Sequence, residues 1–187
     1  QALGVVPETK YQNEGGPDLA DSFSLLRRAT RPSAPQVLRL LDFVIFNALI
    51  GNHDAHAKNF SLLYAAQSAV LAPLYDVLST AVYPTLTSRM AMKIGSKYKF
   101  SEVDARHWEQ FAEAVGLSKA QARKRILALA KSMPSTAREL QSDPGRGFTC
   151  HGVVEQIVTL IEQRCALTVR RLSAPAADLE EGTEPCQ

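Results

Sequence analysis

The chain has 187 residues, 45% hydrophobic and 21% charged, an ordinary globular composition sufficient for one well-buried domain. Its net charge of +2 is too small to drive nucleic-acid binding through bulk electrostatics, so any DNA contact is expected to be indirect or confined to a local basic patch. Three cysteines, Cys150, Cys165 and Cys186, are odd in number and lack Cys-x-x-Cys spacing, which argues against a disulfide framework or a zinc site and suits a reducing, cytoplasmic setting.

No signal peptide opens the chain; it starts without Met and reads as beginning inside an element, as the product of a trimmed or split gene would. Residues 1–17, with Pro7, Asn13, Gly15, Gly16 and Pro17, read as loop. Asp18 is placed to cap a helix over 19–30, where Leu19, Phe23 and Leu26 recur at helical spacing, Arg27 and Arg28 complement the C-terminal dipole, and Pro32 stops the run. Ser33 and Gln36 form a capping-box pattern for the next helix, with Pro35 in its first turn. Val37, Leu38, Leu40, Leu41, Val44, Ile45, Ala48 and Leu49 wrap most of its circumference, which predicts burial on nearly all sides up to Gly51. Its apolar run, Phe43–Ile50, is interrupted by Asn47 and falls short of the roughly 20 residues a bilayer needs, so it reads as a core helix with no membrane contact.

Directly after this helix the stretch Gly51-Asn52-His53-Asp54-Ala55-His56-Ala57-Lys58-Asn59-Phe60-Ser61 crowds an acid, two imidazoles, an amine and a carboxamide into a loop. An Asp followed five positions later by an Asn, and then by an acid after a later strand, is the order a protein kinase needs: a proton acceptor for the substrate hydroxyl and two oxygen ligands for Mg²⁺. Asp54, Asn59 and Asp76 supply that order. Phe60–Tyr64 and Val70–Ala72, separated by 65–69, read as a hairpin with Asn59 at its start and Asp76 just past its end, so both ligands are expected to face one spot.

Beyond Asp76, residues 77–88 hold Pro84 among Thr and Ser and receive no assigned element. Ser101 and Asp104 start a helix through Trp108, Phe111, Ala112 and Val115, closed by Gly116. Ser118 and Gln121 start another through Ile126, Leu127 and Leu129, expected to stop at Pro134. Residues 142–147 are loop by composition, His151–Leu172 make a last helix, and 173–187 read as a disordered tail, leaving 1–172 as the folded unit. The fold class is therefore mainly α with one small β-hairpin. Lys119, Arg123, Lys124, Arg125 and Lys131 read as a solvated basic face.

Three phrases carry a family resemblance: Gly51–Ser61, Leu71-Ala72-Pro73-Leu74-Tyr75-Asp76-Val77-Leu78-Ser79, and Met90-Ala91-Met92-Lys93-Ile94-Gly95. Together with Lys10-Tyr11-Gln12 and Gly15-Gly16-Pro17, they resemble the HipA family, the kinase subunit of bacterial HipBA-type toxin–antitoxin modules, over roughly residues 1–165. The resemblance implies the C-terminal lobe of a serine/threonine kinase fold, with Asp54 as catalytic proton acceptor. It further implies Asn59 and Asp76 on Mg²⁺, and His56, Ala57, Lys58, Asn59, Tyr75 and Asp76 around ATP. Residues 77–88 become the counterpart of a substrate-side loop. The implied partners are a HipB-like antitoxin with a helix-turn-helix DNA-binding domain and a protein substrate of the translation machinery. The sequence departs from the family in having no glycine-rich phosphate loop, strand lysine or helix glutamate ahead of these motifs, so the lobe as given is expected to be inactive by itself.

Other readings compete at particular residues. His53 and His56 can be loop histidines bonded to carbonyls, although His56 stands where typical kinases place a phosphate-steadying lysine, work that Lys58 can do as a point charge. Asp76 can be a helix N-cap. Gly51-Asn52-His53-Asp54 also matches the Gly-Asn-His-acid phrase of metallophosphoesterases, but that chemistry needs further metal ligands, and no histidine precedes Gly51. A non-catalytic interaction module is the remaining alternative.

Overall fold

One 18-residue helix with nine buried residues sets the arrangement of the other elements. The computed structural model describes residues 2–174 apart from 7, 66, 67 and 150. Helices α1 (Leu19–Ala29) and α2 (Ser33–Ile50) lead to the hairpin β1 (Leu62–Ala65)/β2 (Ser68–Leu71) and a second hairpin, β3 (Arg89–Ile94)/β4 (Lys97–Lys99). Then follow α3 (Ala105–Ala114), α4 (Lys119–Ser142) and α5 (Gly152–Ser173). The tail expected to be disordered lies outside the described residues from position 175 on, and Ser173 belongs to α5.

Helix α1 begins as its sequence predicts: Asp18 accepts the Asp21 amide at 2.8 Å, and Asp21 returns the bond to the Asp18 amide at 3.1 Å. Its buried face, Leu19, Phe23 and Leu26, packs on α2, and the Phe23 ring meets Phe111 of α3 edge-on at 5.9 Å. Helix α2 buries Val37, Leu40, Leu41, Val44, Ile45, Ala48, Leu49 and Ile50 against α1, α4 and α5. Each such Leu or Ile contributes roughly 1.5–3 kcal/mol, so this element anchors the fold and holds its C-terminal end still. By length and composition α2 could cross a membrane. Its charges are engaged within this fold instead, Arg39 donating to the Leu71 carbonyl at 3.2 Å and Asp42 gripped by Arg125.

Several expectations need correcting. The N-cap of α2 is Pro32, without a side-chain cap, and Gln36 reaches away to accept the Leu71 amide at 3.0 Å, tying β2 to α2. Asp104, not Ser101, caps α3, and Ser101 lies in a short 3₁₀ turn before it. Helix α4 does not stop at Pro134. It continues to Ser142 because its second half packs along α5: Met133 and Ala137 lie against the core, and Arg138 holds Glu162 at 2.7 Å and Glu155 at 2.9 Å. Hydroxyls near the proline take carbonyls there, Ser135 and Thr136 both donating to Ser132 O at 3.0 and 3.1 Å. The basic face is solvated as expected, with Lys119, Arg123, Lys124 and Lys131 exposed; along it Lys119 pairs with Glu113, Arg123 donates to the Leu172 carbonyl, and half-buried Arg125 pairs with Asp42.

The single expected hairpin is two. The pair β1/β2 is antiparallel with Leu62 opposite Leu71. The pair β3/β4 is irregular between Arg89 and Ile94 and buries Met90, Ala91, Met92 and Ile94, a run with no clean alternation to mark it as a strand.

Candidate active site

The site is mounted on the end of α2. Gly51 takes the left-handed conformation, φ 79°, that closes the helix, and the chain turns into the loop bearing Asp54. Asn52, 4% exposed, then braces two segments at once. Its Nδ2 donates to Asn47 Oδ1 at 2.8 Å and to the Asp76 carbonyl at 3.3 Å, while its Oδ1 accepts the Asp54 amide at 3.1 Å. That carboxamide couples the backbone of both acids. Asp76 itself sits at φ 54°, a left-handed conformation that Asp tolerates better than most residues.

The Asp54 carboxylate receives the Tyr11 hydroxyl on Oδ1 at 2.8 Å, with Lys10 Nζ 3.9 Å from the same oxygen. Both contacts fall on Oδ1. The Tyr11 ring meets the His56 ring edge-on at 5.7 Å, and Lys10 lies over Tyr11 at 4.6 Å. His56 is 6% exposed, and among the described residues its Nδ1 is buried without a hydrogen-bond partner. Burial holds this imidazole below its ordinary pKa against the opposing charge of Asp54.

Across the first hairpin, Asn59 and Asp76 come into direct contact, Asn59 Nδ2 donating to Asp76 Oδ2. Asn59 Oδ1 accepts the His56 amide at 3.0 Å, which orients the carboxamide. Tyr75, half-exposed, bonds the Lys58 carbonyl and lies 2.7 Å from Ser61 Oγ, so the segment that follows β2 is tied back to the loop. Ala57 and Lys58 begin the 3₁₀ turn that ends at Asn59 and line a cavity of about 510 Å³ with Lys10, Leu25, Ser61 and Leu71. The structure thus brings Asp54, His56, Ala57, Lys58, Asn59, Tyr75 and Asp76 into one region.

The donor set suits a hard cation shared with phosphate. One carboxylate and one carboxamide are adjacent, the carboxamide presenting its Nδ2 to Asp76 and able to offer its oxygen after a rotation, and among the described residues no group of three or more His, Cys, Asp or Glu forms a cage. The orphaned His56 Nδ1 beside them suits a polar ligand atom.

His53 is used differently. Its Nδ1 lies 2.9 Å from the Thr87 carbonyl and its Nε2 2.9 Å from Arg164 Nη2 on α5. Both ring nitrogens are engaged by protein, so the ring has no lone pair for a metal and the metallophosphoesterase reading loses its histidine. Burial holds this imidazole below its ordinary pKa, with the Arg164 charge acting the same way and the Thr87 carbonyl opposing. Arg164 also donates to the Ala48 carbonyl at 2.8 Å, and its own burial lowers its pKa to about 10.

Sequence reasoning missed Tyr11, Lys10, Asn52 and Arg164 as parts of the site. Lys10-Tyr11 carried a signal, since that pair stands in one of the stretches that bear the resemblance, but nothing local linked Tyr11 to Asp54, 43 positions away. Arg164 carried none.

The mainly helical fold with small two-stranded sheets is that of the C-terminal lobe of a protein-kinase-like protein. A family model described as the HipA-like C-terminal domain matches residues 1–137, and the chain belongs to that family. "Putative kinase Y4mE" of Sinorhizobium fredii is 49% identical over 143 residues, covering 76% of this chain and 34% of that protein. The "Serine/threonine-protein kinase toxin HipA" of Shewanella oneidensis is 27% identical over 151 residues, 75% of this chain and 35% of that one. Among solved structures, a chain of the Shewanella oneidensis toxin–antitoxin complex of HipA, HipB and operator DNA superposes with a TM-score of 0.79 at 23% identity, covering 91% of this chain and 42% of that one. The chain spans about a third of the length of these two relatives.

Proposed function

We propose that this chain is the catalytic lobe of a HipA-like serine/threonine kinase, the toxin of a toxin–antitoxin module, transferring phosphate from ATP to a protein of the translation machinery in the cytoplasm. Its antitoxin is a HipB-like helix-turn-helix protein, which makes DNA contact indirect. The folded unit runs to the end of α5, and the lobe alone does not transfer phosphate. The observation that carries the reading is the meeting of Asn59 and Asp76 across the first hairpin, braced by Asn52 to the backbone of Asp54. The relatives named as kinases support it.

Asp54 Oδ2 accepts the hydroxyl proton as the new O–P bond forms and the bond to ADP breaks, while Oδ1 stays held by Tyr11. Asn59 and Asp76 would hold Mg²⁺, which supplies charge neutralisation at the phosphates. His56 and Lys58 steady the phosphate end, and Ala57 and Tyr75 lie beside the nucleotide.

The test uses the complete protein carrying this lobe. Asp54→Asn should abolish transfer while leaving ATP affinity nearly unchanged, because the proton acceptor does not hold the nucleotide. Asp76→Asn should weaken Mg²⁺-dependent ATP binding itself. Calorimetry in which Asp54→Asn loses ATP as badly as Asp76→Asn, or transfer that survives in Asp54→Asn, overturns the reading.

A further inference from the structure

We infer that Arg164 is a positioning residue for the catalytic loop: from α5 it donates to Nε2 of His53, whose Nδ1–H is held by Thr87, and through that ring clamps the loop bearing Asp54 to residues 80–91. The tautomer follows from the partners. A carbonyl can only accept, so His53 Nδ1, 2.9 Å from Thr87 O, carries the proton. A guanidinium can only donate, so Nε2, 2.9 Å from Arg164 Nη2, presents its lone pair. No other assignment satisfies both contacts.

The backbone of His53 completes the clasp. Its N–H donates to Thr80 Oγ1 at 2.8 Å, and its carbonyl accepts the Ala91 amide at 2.8 Å. One residue, 7% exposed, is thereby bonded at Thr80, Thr87, Ala91 and Arg164. Only Arg164 comes from outside the loop and the segment following it. It is seated by the Ala48 carbonyl at 2.8 Å and by the Phe100 ring, 4.4 Å from its guanidinium carbon. Among the described residues no carboxylate pairs with it.

A half-buried guanidinium without a counter-ion is unfavourable unless its neutral contacts offset the desolvation. Here those contacts are a helix-end carbonyl of α2, a ring face and the imidazole next to Asp54, so the charge is placed to brace the loop. The family match ends at residue 137, so this brace comes from a helix outside the matched segment. Besides Asn52 on its amide, Asp54 thus has supports of separate origin: Tyr11 on its side chain from the N-terminal loop, and, through its neighbour His53, the clasp from α5.

The structural part is tested on this chain by ¹⁵N-histidine NMR at neutral pH, with His53 assigned by its loss in His53→Gln. The expected pattern is a protonated Nδ1 and an unprotonated Nε2. An Nε2–H tautomer in the wild type overturns the inference without any variant. Arg164→Met removes the donor at Nε2 while the Thr87 carbonyl still holds the proton on Nδ1, so the Nε2 resonance should move to that of an unbonded ring nitrogen, and an unchanged Nε2 resonance overturns the inference. Should Arg164→Met fail to fold, Arg164→Lys puts a single nitrogen where two guanidinium nitrogens serve Ala48 and His53, and a shifted Nε2 resonance is expected there too.

The functional part rests on the kinase reading. In the complete protein, Arg164→Lys should lower kcat about tenfold or more through misplacement of Asp54 and leave KM for ATP within about twofold. An unchanged kcat, with Asp54→Asn inactive in the same assay, refutes the inference. Activity surviving in Asp54→Asn refutes the kinase reading instead, and the NMR result still decides the clasp.

Discussion

Gly51→Ala tests how tightly the end of α2 is coupled to the site. Gly51 adopts φ 79°, a region where an L-residue costs roughly 1–2 kcal/mol. A Cβ there would stand 2.7 Å from both Ala81 Cβ and Leu160 Cδ2, and overpacking of that kind costs about 1–3 kcal/mol. The expected destabilisation is therefore about 2–5 kcal/mol, a large share of the roughly 5–15 kcal/mol that holds a domain together. Gly147→Ala separates the two contributions. Its φ is 69°, but nothing lies within 4 Å of the added Cβ, so only the conformational cost of about 1–2 kcal/mol should appear. Urea titration of the two variants, followed by circular dichroism, measures both losses, and equal values would falsify the close-contact argument. Because the Ala81 amide donates to the Gly51 carbonyl at 3.0 Å, the clash should also displace the turn beginning at Thr80 that holds the His53 amide. Gly51→Ala should then lower phosphate transfer at temperatures where the variant is still folded.

Tyr11→Phe removes the donor on Asp54 Oδ1 and keeps the ring against His56; kcat should fall roughly 10–100-fold in the complete protein, with stability nearly unchanged. In an Asp54→Asn background the same change should add almost nothing, and full additivity would show that Tyr11 acts elsewhere. Residues 1–187 alone should bind ATP weakly, since several phosphate contacts, each on the order of 1.5–3 kcal/mol, belong to the glycine-rich loop and strand lysine of a kinase; micromolar affinity by calorimetry contradicts this. His53, His56 and His107 all have pKa values held below the ordinary 6.5, chiefly by burial. The unfolded chain therefore binds more protons than the folded one as pH falls below about 6.5, and stability is lost downward through the lowered folded values. The melting temperature should be lower at pH 5.5 than at pH 7.5, and a flat or rising profile on acidification refutes that assignment of buried neutral imidazoles.

What was legible in the sequence was local. The Asp18 cap, the burial of α2 and its Gly51 terminus each depend on residues within one or two turns, and the Asn59–Asp76 meeting depends on a short hairpin. The failures share a cause in contacts made across the chain. Gln36 looks like a capping-box residue, but β2 competes for its side chain. Pro134 breaks an isolated helix, but packing on α5 through Arg138 carries α4 past it. Strand β3 is buried at Met90, Ala91, Met92 and Ile94, so it lacks the alternation that marks a strand with one wet face. Asp54 was visible as chemistry, but its supports at Tyr11 and Arg164 lie 43 positions before Asp54 and 111 positions after His53.

The two acids of the site are held by different means, and this separates what damage to each support can do. Asp54 is oriented by a donor on its side chain, whereas Asp76 is placed by its backbone, its carbonyl accepting from Asn52, and by the Asn59 amide on its carboxylate. A lost side-chain donor leaves the acid in place and frees its rotamer, so Tyr11→Phe should cost proton acceptance and spare nucleotide binding. Asn52 serves both acids through one carboxamide, since its Oδ1 takes the Asp54 amide and its Nδ2 the Asp76 carbonyl. Asn52→Asp keeps the acceptor and replaces the donor with a second oxygen, which sets an anion against the Asp76 carbonyl and the Asn47 Oδ1 it now bonds. That substitution should weaken Mg²⁺-dependent ATP binding more than it disturbs the Asp54 amide, the reverse of Tyr11→Phe. Calorimetry and single-turnover transfer on the two variants of the complete protein measure both effects, and identical profiles would show that the two acids move as one body.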